Sequence, residues 1–121
     1  MINIKKKNTK HGGILRFFLF FDKKAKEFVG VSMDIGIIKC GDNPYFVEKD
    51  LIDSSLGYIE NVCENDLPDY LLNEGPPQEY IDLFDKYQRL VSSNKKKEFI
   101  ADFEEARTFI KIVPSSLCLT T

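Results

Sequence analysis

The residues able to do chemistry in this chain are few and scattered. Asp22 and Asp34 stand at the ends of two apolar runs. Two carboxylates so placed can share a metal ion, but hairpin ends are where aspartate ordinarily sits, because its side chain bonds its own backbone. His11, the one histidine, lies beside Gly12-Gly13 in a basic stretch and reads as a solvated arm residue rather than a catalyst. Cys40 precedes Gly41-Asp42, yet no second histidine exists to act as its base, and a small thiol buried in a strand is the simpler reading. Tyr45 and Phe46 offer rings that stack on nucleobases, although acidic neighbours argue against that partner. No HExxH, GxxxxGK[ST], GxSxG or paired Cys/His set occurs. The expectation is therefore no catalytic residue, no metal site and no cofactor.

Composition bounds what remains. A chain of 121 residues suits one domain, and ten Phe with five Tyr supply its core. The longest uncharged apolar run, Phe17 to Phe21, is far too short to span a bilayer. The N-terminal stretch is basic but lacks the apolar region of a signal peptide. The three cysteines, Cys40, Cys63 and Cys118, show no CxxC spacing, which points to reduced thiols in a cytoplasmic protein. A net charge of -2 conceals an asymmetry: nine Lys/Arg against three Asp/Glu in residues 1–40, then three against twelve in residues 41–90. Such blocks bear on partner choice and encounter rate, not on fold. Either the acidic half is a solvated helical face beside a loose basic tail, or it docks a basic partner.

The elements that must carry these residues follow from periodicity. Residues 1–13 read as a basic flexible arm. Ile14 to Phe21 is apolar on both alternating faces except at Arg16, the pattern of a central strand covered on both sides. Residues 27–33 alternate as a second strand joined to the first as a hairpin, and a tight turn at Asp34-Ile35-Gly36 leads to a short third strand at 37–40. From about Pro44 to Glu64 the apolar residues Val47, Leu51, Ile52, Leu56, Tyr58, Ile59 and Val62 share one half of a helical wheel, with only Glu48 out of place. Gly57 falls on the polar side of that helix, where it reads as a single tolerated glycine. Asn73 to Pro77 breaks the chain before a further helix at 77–91, after a single helical turn near Pro68. Residues 92–97 read as a polar linker. In the tail, Phe99, Ile100, Phe103 and Ala106 suit a helix, whereas 108–113 suits a strand that would complete the sheet beside the first. The fold class is α+β: a three-stranded antiparallel meander followed by an amphipathic helix on one face, with an extra C-terminal helix. The domain division is the arm, a β-β-β-α core at 14–72, and a C-terminal extension at 73–121 packing on the same domain.

The joint between the third strand and the helix carries the most specific pattern. Gly41 permits a positive φ at the strand end, Asn43 caps the helix, Pro44 fits its first position, and Asp42 sits by the positive end of the helix dipole. Phe28-Val29-Gly30-Val31, Asp34-Ile35-Gly36-Ile37-Ile38 and Gly41-Asp42-Asn43-Pro44, followed by Leu51, Leu56 and Tyr58, resemble the HicB-like domains of bacterial toxin–antitoxin antitoxins over residues 14–64. The resemblance implies a truncated RNase H-like fold without nuclease activity, which binds a small basic ribonuclease toxin and often oligomerises. Two features depart from the family. The tail has no helix-turn-helix or ribbon-helix-helix pattern, so DNA binding is not supported, and the added helix at 77–91 suits an orphan or divergent member.

Three functions are therefore in view. The first is a non-catalytic HicB-like protein that neutralises a basic partner through Asp50, Asp53, Glu60 and Glu64. The second is an orphan that self-associates through a sheet edge, since exposed edges must be managed. The third is a metal-dependent nuclease relic, which would need more convergent carboxylates than Asp22 and Asp34 provide.

Overall fold

The run GILRFFLFFD is apolar from Ile14 to Phe21 at every position but Arg16, so as a strand it must be covered on both faces. That is where it lies. In the computed structural model, which describes residues 8–10, 12–93 and 103–113, β1 (Gly13–Asp22) is an inner strand of a four-stranded sheet. β2 (Glu27–Ser32), β3 (Ile38–Gly41) and β4 (Phe103–Val113) complete the order β3-β2-β1-β4, antiparallel throughout. The expected three-stranded meander is present, and the tail strand lies beside the first strand. It begins at Phe103, so the helical reading of Phe103 and Ala106 is corrected. Strand pairing to β1 is the reason: Ala106 is buried beneath the sheet's second helix and carries the carbonyl that Tyr87 Oη donates to at 3.0 Å. Phe99 and Ile100 lie outside the described residues.

The two faces of β1 bury different helices. Leu15 and Phe17 point to α1 (Pro44–Glu64), packing with Leu51, Ile59 and Val62. Phe18 and Phe20 point to α2 (Gln78–Ser92), packing with Phe84 and Tyr87. The result is helix, sheet, helix, with the fully buried Phe17, Phe18 and Phe20 each contributing about 1.5–3 kcal/mol of burial. α1 packs tightly over Gly30, where an added Cβ would lie 3.0 Å from both Val47 and Leu51 side chains.

The ends of α1 are set locally. Asn43 Oδ1 accepts from the backbone N–H of Tyr45 at 2.9 Å and Phe46 at 3.4 Å, and Pro44 follows in the first turn. At the other end Asp66 takes a positive φ of 48°, and Leu67 N–H returns to the carbonyl of Val62 at 2.9 Å. Gly41, however, does not adopt a positive φ; its small size matters instead, because a Cβ there would lie 3.1 Å from Val47. The left-handed glycine of the motif is Gly36, at φ 82°, and a Cβ on it would meet the Gly75 carbonyl at 2.4 Å. A turn of 3-10 helix, Asp69–Leu72, leads into that segment.

The reading of 1–13 as a flexible arm is corrected at Asn8. Asn8 is buried, its Oδ1 accepts from Ile14 N–H at 2.7 Å, and its own N–H donates to Asn73 Oδ1 at 2.8 Å. Residues 1–7 and His11, and the linker beyond Ser93, lie outside the described residues.

Candidate partner-binding surface

Helix α1 advances about 100° per residue, so burying Val47, Leu51, Ser55, Ile59 and Val62 turns a fixed set of residues outward. The centre of that outward face is Phe46, Asp53, Gly57, Glu60 and Glu64, all exposed, with Asp50 at its margin. The four acidic residues singled out from the sequence therefore share one surface, but they are not equivalent. Asp50 lies 3.9 Å from Lys39 and accepts from Ser54 Oγ at 3.4 Å, and Asp53 lies 3.7 Å from Lys49. Glu60 and Glu64 have no ion pair among the described residues. Exposed pairs like those of Asp50 and Asp53 are worth little and leave the carboxylates open to exchange partners.

Sequence reasoning set Tyr45 and Phe46 aside, and the structure brings them back. They are 67% and 64% exposed, with ring centroids 5.7 Å apart. Their place on the first turn explains this: the Asn43 cap fixes the direction in which α1 leaves the sheet, and these two residues precede its first inward position, Val47. A shallow groove of about 280 Å³ runs beside them, lined by Tyr45, Glu48, Lys49, Ile52 and Asp53. Glu48, the residue that broke the helical wheel, pairs with Arg107 of β4 and fastens this end of α1 to the sheet. Arg107 also lies over Phe109, 5.5 Å from its ring centroid. Gly57 sits in the middle of the acidic stretch with no atom within 4 Å of where its Cβ would be, so nothing in the chain's own packing requires a glycine there.

The other candidate residues have structural work. Asp22 closes the β1–β2 hairpin, its carboxylate accepting from Lys24 N–H at 2.9 Å and Ala25 N–H at 3.3 Å. Asp34 is bound to Arg16: the guanidinium donates to Oδ1 at 2.8 Å and the Arg16 backbone N–H to Oδ2 at 2.6 Å, with each side chain only 10% exposed. About 20 Å of extended strand separates Arg16 from Asp22, so the two aspartates share no ion. No group of His, Cys, Asp and Glu suited to a metal occurs among the described residues. Burial pushes the Asp34 carboxyl above its ordinary value, against the opposing pull of its hydrogen bonds and charge contact with Arg16.

Cys40 is exposed rather than buried in its strand, because β3 is an edge. Partial desolvation, with Glu27 and Asp22 nearby, raises its thiol, the opposite of what activates a nucleophile. Cys63 stands in a disulfide, which corrects the expectation of three reduced thiols. A larger hollow of about 510 Å³ borders Tyr70, Asn8 and Asn73, but both side-chain amides are spent: that of Asn8 donates to the Leu72 carbonyl and accepts from Ile14 N–H, and that of Asn73 bonds the Asn8 backbone and donates to the Asp69 carbonyl. Compared with protein-family models, curated proteins and solved structures, the chain matches none.

Proposed function

We propose that this protein is a non-catalytic, HicB-like binding module that holds a small basic protein, in the manner of an antitoxin neutralising a ribonuclease toxin. The observation that carries the reading is the outward face of α1, where exposed carboxylates at 53, 60 and 64 continue from an exposed aromatic pair. Aromatic anchors with a charged surround are the usual composition of a docking surface. Acidic charge there would steer a basic partner and set the salt dependence of its arrival. Gly57 supports the same reading, since it leaves a low point between Asp53 and Glu60 where another backbone can approach.

The test begins from genetics and ends in a tube. The product of a short basic reading frame adjoining this one is purified, and its ability to cleave RNA is measured with and without this protein. The reading predicts stoichiometric inhibition that weakens with added salt. Absence of any complex with such a product would remove the reading.

A further inference from the structure

Strand β4 has β1 as its one neighbour, and no other strand among the described residues pairs with its far side. The backbone geometry says which groups line that edge. Arg16 N–H donates to Asp34 and its carbonyl accepts from Met33 N–H, so the Arg16 backbone faces β2 and not β4. Its register partner Ile110 is therefore a non-bonded position of the β1–β4 ladder, and the N–H and C=O of Ile110 point away from the sheet. Alternation gives Thr108 and Ile112 the same direction. The side chains of these three lie on the α2 face of the sheet, opposite Phe18, Arg16 and Ile14, at the end that α2 leaves uncovered. Ile110 is 59% exposed and Ile112 70%.

An edge with unpaired backbone groups and two exposed isoleucines is the feature that proteins normally blunt with charge. Here the charges do not blunt it. Arg107 and Lys111 point to the opposite face, and the Arg107 guanidinium is drawn away onto Glu48.

We propose that the edge is covered by a second copy of this chain, β4 pairing antiparallel with β4 and Ile110 lying on the two-fold axis. The side chains choose that register. Centring the axis on Phe109 would set Arg107 directly opposite Lys111 of the second copy, and like charges so placed destabilise a sheet. Centring it on Thr108 would set Ile112 opposite Glu104. With Ile110 on the axis, Ile110 meets Ile110, Ile112 meets Thr108, Phe109 meets Lys111, and Arg107 meets Val113. The outward N–H and C=O groups of Thr108, Ile110 and Ile112 are then all bonded, and the two isoleucines of each copy are buried together. The contact is isologous and closes on itself, giving one continuous sheet through both copies. It leaves the outward face of α1 free and does not depend on what that face binds.

The experiment is light-scattering mass of the full chain on a sizing column. The wild type should have twice the 14.0 kDa of one chain. Ile110→Lys and, separately, Ile112→Glu should each return it to the single-chain mass with an unchanged far-ultraviolet circular dichroism spectrum. Lys111→Glu should leave the dimer unchanged. A single-chain mass for the wild type overturns the proposal, and so does a dimer that survives both isoleucine variants. Tighter association of Lys111→Glu moves the axis to Phe109 and overturns the register.

Discussion

Arg16 and Asp34 are the one charged pair removed from water in the described core, and each depends on the other. Deleting one partner of such a pair leaves the other charge buried without compensation, at a cost of about 3–5 kcal/mol. Asp34→Asn keeps a neutral acceptor and loses one carboxylate oxygen, so it should lower unfolding stability by only about 1 kcal/mol in a denaturant titration at neutral pH; a loss of about 3 kcal/mol or more would mean that the ionised pair itself carries the stability. The pH dependence has a definite sign. Burial raises the folded-state pKa of Asp34 above its ordinary 3.8, so the folded state keeps the proton at pH values where the unfolded chain has lost it. Stability from this group is full below pH 3.8 and is lost as pH rises through the folded value. The stability gap between wild type and Asp34→Asn should therefore narrow as pH rises across that window. The sequence displayed this pair only as an anomaly, a lone arginine in an apolar strand and an aspartate in a turn. Their meeting depends on how β2 returns alongside β1, which local patterns do not encode.

At the scale of the element, α1 was legible to its boundaries, because a cap, a proline and a long amphipathic period agree. Its single discordant residue, Glu48, made sense only once β4 arrived beside it with Arg107. β4 itself was half legible. The run from Thr108 to Val113 is β-branched enough to declare a strand, whereas Phe103 and Ala106 carry helical spacing that pairing to β1 overrides. Gly57 yields the prediction for this scale. It is exposed inside a helix with room for a side chain, so Gly57→Ala should stabilise the fold by about 1 kcal/mol, read as a shift in denaturation midpoint. A destabilised Gly57→Ala would show that the glycine is required by the fold itself rather than by whatever approaches that face.

For the whole molecule, the two-faced sheet follows from β1 being apolar on both sides, and α2 was foreseen as an added helix without a face to which to assign it. The three-dimensional order explains the choice: α1 occupies the side of Leu15 and Phe17, leaving Phe18 and Phe20 for α2. The oxidation state of the thiols was not legible, since spacing alone does not place Cys63 near a partner. With Cys63 in a disulfide, the unreduced, denatured chain should titrate one reactive thiol, and the reduced chain all three. Three reactive thiols without reductant would restore the expectation of a fully reduced protein. No helix of the described chain is long and apolar enough to cross a membrane. The central claim concerns the acidic outer face of α1, and calorimetric titration of the basic partner against Glu60→Lys/Glu64→Lys tests it most directly. Both residues are exposed and without ion pairs among the described residues, so the fold should be unaffected. Reversing them juxtaposes like charges, which should weaken binding by about tenfold or more and flatten its salt dependence. Unchanged affinity in the reversed protein would contradict the account.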